Sequence, residues 1–125
     1  MPAQVLIIED NPANMKLAVM LLQTLGVTIL QAEDATTGLT LARTHHPDLI
    51  LMDIHLPGID GMALTRQLKQ EEETKTIRII ALTALALKGD EERIRAAGCD
   101  GYIAKPIQYK LFLSTIKEIL DSSSN

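Results

Sequence analysis

Tryptophan is absent from this 125-residue chain, which carries one phenylalanine, Phe112, and two tyrosines, Tyr102 and Tyr109. A core must then be built from Leu, Ile, Val, Met and Ala, as in small α/β proteins, and the length leaves room for one such core. The single cysteine, Cys99, excludes an internal disulfide. That suits a reducing compartment, so a cytoplasmic location is expected. A basic run is also missing, and 12 Lys+Arg against 16 Asp+Glu give a net charge of −4. Such a balance offers no electrostatic footprint for direct DNA binding or an anionic membrane. No apolar stretch approaches the roughly 20 residues that span a bilayer. Met1-Pro2-Ala3-Gln4 lacks the basic start of a signal peptide. Neither GxxxxGKS/T nor GxGxxG occurs, so nothing marks an ATP or dinucleotide cradle.

What the chain does contain is alternation. Five short apolar runs are each followed by a helical pattern. Val5-Leu6-Ile7-Ile8 leads to Asn11-Pro12, a cap and first-turn pair, after which Met15, Ala18, Leu22 and Leu25 recur at helical spacing and Gly26 stops the pattern. Val27 to Leu30 leads to Asp34 as a cap, with Ala35, Leu39 and Ala42 on one face and His46-Pro47 closing the helix. Leu49-Ile50-Leu51-Met52 is apolar on both faces, as a central parallel strand should be. Leu56-Pro57-Gly58 then forms a turn, and Asp60 precedes a helix with Leu64 and Leu68. The charged stretch 69–75 reads as a solvated helix end and loop. Ile77, Ile79 and Ile80 run into Thr83, and a fourth helix with Asp90, Glu91 and Glu92 near its start ends at Gly98. Gly101 to Ala104 is the fifth run, followed by a helix burying Phe112, Ile116, Ile119 and Leu120. The pattern predicts a five-stranded parallel sheet with five helices on both faces, a domain over 1–121 and a fraying tail over 122–125 with no output domain.

Chemistry collects where the strands end. The first runs into Glu9-Asp10, the third into Asp53, the fourth into Thr83 and the fifth into Lys105-Pro106. In open α/β sheets the ligand crevice lies outside the carboxyl ends of the strands. Taken singly, each residue has an ordinary explanation: a carboxylate caps a helix, Thr83 favours strands, Lys105 is a surface charge. Five such residues at one sheet edge make separate explanations improbable. Crowded carboxylates repel unless a cation neutralises them, and hard oxygen ligands suit Mg²⁺. An Asp carboxylate is also a nucleophile toward phosphorus. A metal and an ammonium beside it would neutralise the equatorial oxygens during phosphoryl transfer.

The segments Leu6-Ile-Ile-Glu-Asp-Asn11, Pro47-Asp-Leu-Ile-Leu-Met-Asp-Ile54, Leu56-Pro57, Asp60-Gly61, Ala81-Leu-Thr-Ala84, Gly98 and Lys105-Pro106 form an ordered set. With them the chain resembles the receiver domain of two-component response regulators, the CheY-like superfamily, over nearly its full length. The resemblance implies the flavodoxin-like strand order 2-1-3-4-5. It makes Asp53 the phosphoacceptor, Asp10 a direct Mg²⁺ ligand, Glu9 a second acid acting through water, and the backbone carbonyl of His55 a further ligand, with Mn²⁺ as a substitute ion. It makes Thr83 and Lys105 the phosphate-contacting hydroxyl and ammonium, Pro106 a cis proline and Tyr102 an aromatic switch coupled to Thr83. The stretch 85–99 is similar to DivK-like single-domain regulators and also to receivers attached to hybrid histidine kinases.

The implied partners are a histidine kinase or a histidine phosphotransfer protein, and a downstream protein met in trans. The output surface is the face of the fourth helix, fifth strand and fifth helix, with Leu85, Leu87, Tyr102 and Tyr109. Apolar Leu85, two past Thr83, gives water no polar guidance, which implies slow self-dephosphorylation. Two other readings compete. A Mg²⁺-dependent phosphatase would need a second acid two residues after its nucleophile, where this chain has His55. An interaction module that takes no phosphate would have no need of the intact set Glu9, Asp10, Asp53, Thr83 and Lys105. His45-His46 reads as solvated and Cys99 as a small filler.

Overall fold

The computed structural model describes residues 3–56, 60–84 and 90–122. Among them the order is β1 (Gln4–Ile8), α1 (Pro12–Gln23), β2 (Thr28–Ala32), α2 (Ala35–His45), β3 (Leu49–Asp53), α3 (Gly61–Gln70), β4 (Arg78–Thr83), α4 (Asp90–Ala97), β5 (Gly101–Ala104) and α5 (Tyr109–Ser122). All strand pairs are parallel, and the sheet order is β2-β1-β3-β4-β5. This is the expected CheY-like, flavodoxin-like α/β fold.

Side-chain alternation along the strands divides the core in two. Leu6, Ile8, Ile50, Met52, Ile79 and Ala81 face Ala42, Leu64, Leu68 and Ile94 of α2, α3 and α4. Val5, Ile7, Leu49, Leu51, Ile80 and Leu82 face Met15, Ala18, Leu22, Phe112 and Ile116 of α1 and α5. Every residue of β3 is buried, as its two-sided apolar run requires. The helices start where capping chemistry directs: the side chains of Asn11, Asp34 and Asp60 accept from the N–H groups of Asn14, Thr37 and Met62.

The structure departs from the sequence reading in three places. β2 starts at Thr28 and runs two residues past Leu30, because Gln31 and Ala32 find partners in Ile7 and Ile8 of β1. His46 closes α2 as expected, in the left-handed region at φ 48° with its N–H bonded to Ala42 O. The charged stretch after α3 is anchored, not merely solvated. Arg43 donates twice to Glu71, at 2.8 and 2.7 Å, and Lys69 Nζ donates to Ile77 O at 2.7 Å and to Asp100 at 3.2 Å. Finally, α5 runs one residue further than expected, to Ser122. The turn at Pro57-Gly58 and the last three tail positions, 123–125, lie outside the described residues.

Candidate functional site

Four strand ends deliver the site. Asp53 and Thr83 are the last residues of β3 and β4, and both are buried. Glu9 follows β1 directly and is 1 % exposed, fixed by its N–H to Ala32 O at the end of β2. Lys105 follows β5, where its N–H donates to Thr83 O at 2.8 Å. The Lys105–Pro106 peptide is cis. Asp10, next to Glu9, is exposed. A cleft of about 460 Å³ runs from Glu9 and Asp10 along α1, lined also by Met15 and Val19.

Glu9, Asp10 and Asp53 each bring a carboxylate oxygen to within 4.8 Å of the others. Lys105 Nζ sits between two of them, 2.8 Å from Glu9 Oε1 and 3.4 Å from Asp53 Oδ1. The Asn11 N–H donates to Glu9 Oε2 at 3.2 Å and the His55 N–H to Asp53 Oδ1 at 3.0 Å. Sequence reasoning placed Lys105 near Asp53 but did not foresee that its shorter bond is to Glu9. Nor did it see the role of the His55 N–H, since a backbone donor leaves no mark in the sequence. The His55 side chain is exposed. Tyr102 is half-buried against the α2–α4 side of the core, and Tyr109 is 58 % exposed. Leu85 and Leu87 lie outside the described residues.

The two buried carboxyls titrate in opposite directions. Burial, and then the hydrogen-bonded Asp53, push Glu9 above its ordinary 4.5, with Lys105 and Asn11 opposing them less strongly. Burial also works to raise Asp53, but the hydrogen bond with Glu9, the His55 N–H and the charge of Lys105 together outweigh it and hold Asp53 below 3.8. Lys105 loses to burial but gains more from Glu9 and Asp53, so it is held in the charged form. A proton entering the pair therefore rests on Glu9, and Asp53 keeps its negative charge.

A pH dependence follows. Glu9 is raised in the folded state, so folding binds an extra proton between its unfolded and folded values and stability falls as pH rises through that window. Asp53 is lowered, so its contribution is present above 3.8 and lost only at more acid pH. In chelator-treated buffer the urea midpoint should therefore decline as pH rises above Glu9's ordinary 4.5. Glu9→Gln should flatten that decline. A midpoint that rises across the window, or a decline unchanged in Glu9→Gln, would contradict the assignment.

Residues 5–117 match the response regulator receiver domain family. The chain is 50 % identical over 120 residues to the polar-differentiation response regulator DivK of Brucella ovis, covering 96 % of this chain and 98 % of the relative. The match to the same-named regulator of Brucella anthropi is 49 % identical with the same coverage. Among solved structures, the receiver domain of a sensor histidine kinase from Pseudomonas aeruginosa superposes with a TM-score of 0.87 at 33 % identity, covering 97 % of this chain and 99 % of that one. That protein has a magnesium ion coordinated in its active-site cleft. A CheY-like receiver domain protein of Methanospirillum hungatei gives 0.88 at 28 %, covering 98 % and 96 %. Fold, strand-end chemistry and these likenesses agree, and the chain belongs to the response regulator receiver domain family.

Proposed function

We propose that the protein takes a phosphoryl group on Asp53 from a histidine kinase or a histidine phosphotransfer protein, and that the changed surface controls a protein partner in trans. One observation carries this reading: the oxygens of Glu9, Asp10 and Asp53 converge within 4.8 Å while Lys105 reaches the same Asp53. An all-oxygen cluster of that density fits Mg²⁺, with Asp10, Asp53 and the His55 carbonyl as direct ligands and Glu9 acting through water. Mn²⁺ shares this ligand preference. When bound, the ion would neutralise charge on the phosphoryl oxygens.

The chain's own groups account for the rest. An Asp53 oxygen attacks phosphorus, the bond from phosphorus to the donor imidazole nitrogen breaks, and the imidazole leaves with the electron pair. The Lys105 ammonium balances the incoming charge. The Thr83 hydroxyl, on the neighbouring strand end, donates to a phosphoryl oxygen. Its movement opens space for Tyr102 to turn inward, and the α4–β5–α5 face with Tyr102 and Tyr109 is read by the partner. The protein is an acceptor that loses its phosphoryl group slowly and acts in the cytoplasm, rather than an enzyme turning over a substrate. Identity of 50 % to DivK against 33 % to the kinase receiver favours a free-standing regulator over the receiver of a hybrid kinase.

Incubation with acetyl phosphate and Mg²⁺, followed by intact-protein mass measurement, should show one added phosphoryl group. Asp53→Asn and chelation should each abolish it. Uptake that survives in Asp53→Asn would refute the assignment.

A further inference from the structure

We propose that Gly61 is a positioning residue for phosphoryl acceptance: by bringing the first turn of α3 into direct backbone contact with the end of β3, it fixes the peptide that aims the Asp53 carboxylate. The inference rests on Asp53 being the acceptor. Gly61 is not among the residues of positive φ, so its backbone does not demand glycine. Space does. A Cβ there would lie 2.5 Å from Asp53 O and 2.7 Å from Ile54 Cα, closer than real Cβ atoms come.

The contact is with backbone on both sides, and neither side is free to yield. The Ile54 N–H is bonded to Leu82 O at 3.1 Å, which ties the Asp53–Ile54 peptide to β4. The next peptide is gripped at both ends. Its carbonyl, Ile54 O, accepts from the Gly61 N–H at 2.9 Å, and its N–H, that of His55, donates to Asp53 Oδ1 at 3.0 Å. Because a peptide unit is planar, fixing one end orients the other. The helix cannot retreat cheaply either, since Asp60 caps Met62, Thr65 bonds back to Gly61 O at 2.8 Å, and Leu64 and Leu68 are buried. Gly38 in α2 is a useful contrast. The three atoms nearest to a Cβ there all belong to the Ile8 side chain, at 2.5 Å from Cδ1, so it is a side chain and not backbone that would have to shift.

The test compares Gly61→Ala with Leu64→Ala, which weakens the packing of the same helix without adding an atom beside Asp53. Both are assayed as full chains under conditions where circular dichroism shows them folded. The rate of phosphoryl uptake from acetyl phosphate at saturating Mg²⁺ should fall roughly tenfold or more in Gly61→Ala, the scale expected for a misplaced reacting group. Leu64→Ala should stay near the wild-type rate. The amide resonance of His55 should move in Gly61→Ala and not in Leu64→Ala, a readout that needs no phosphate. If Gly61→Ala does not fold in buffer, trimethylamine oxide is added to all three proteins and the rates are compared there. A wild-type rate in folded Gly61→Ala, an equal slowing in Leu64→Ala, or failure of folded protein to form even with osmolyte would each overturn the positioning role. Failure of the wild-type protein to take up phosphate would instead refute the assignment of Asp53.

Discussion

Phe112→Ala should lower stability by about 3–5 kcal/mol, the range for losing a buried phenyl ring and keeping the hole it leaves. Phe112 is the one phenylalanine in the chain and is 0 % exposed. It sits among Val5, Ile7, Leu82, Ile103 and Ile116, where α5 covers the sheet. Most of these neighbours are β-branched, and stiff χ1 rotamers limit how far they can close in on a cavity. No other aromatic shares that cluster, so nothing of comparable size can repack into the space. The loss should appear as a lower urea midpoint at nearly unchanged slope. A cost below about 1 kcal/mol would mean that α5 collapses onto the sheet and that its packing is not the fixed layer described above.

The parts of this fold that could be read from sequence are those set by local rules. β3 announced itself as a two-sided apolar run, and Asn11, Asp34 and Asp60 as caps, because each feature is decided within four residues. Neighbour relations are a different kind of fact. Nothing in the run Val27 to Leu30 shows that Gln31 will pair with Ile7, so the end of β2 was missed until its partner was in place. The order 2-1-3-4-5 came from family resemblance, because apolar periodicity defines strands without saying which ones touch. Arg43 and Glu71 are 28 residues apart, so the bidentate bond that anchors the stretch 69–75 to α2 leaves no local mark in the sequence.

The site divides along the same line. Glu9, Asp10, Asp53 and Lys105 stood out because charged groups at the ends of apolar strands need a reason. The tasks of the Ile54–His55 peptide and of Gly61 did not, since both act through backbone atoms that every residue carries. Asp60-Gly61 was visible as a family motif. Only the packing of α3 on β3 shows why the second position has no room for a side chain.

Lys105→Met should cost about 2–4 kcal/mol at neutral pH in the absence of divalent cations, near the value for removing one partner of a buried ion pair. The Lys105 side chain is 17 % exposed and Glu9 only 1 %, so water cannot replace much of what the ammonium supplies. Methionine fills the channel with a similar chain but leaves two carboxylates facing each other. The protein has two ways to relieve them, and both can be measured. Protonation is the first: Glu9 already sits above its ordinary value, and without Lys105 it should rise further. The cost of the substitution should therefore shrink as pH falls, because a protonated Glu9 no longer needs the ammonium. Lys105 itself is raised, so its stabilisation is fully present at any pH below about 10 and does not cause that shrinkage. The second relief is a divalent cation among Glu9, Asp10 and Asp53. Added Mg²⁺ should recover part of the loss by binding the folded state alone. Equal costs at acid and neutral pH, with and without Mg²⁺, would show that Lys105 serves as packing and that charge balance at Asp53 is held by other groups. The expected pattern would make Lys105 the internal counter-charge of the site, holding Asp53 ionised as the proposed phosphoryl acceptance requires.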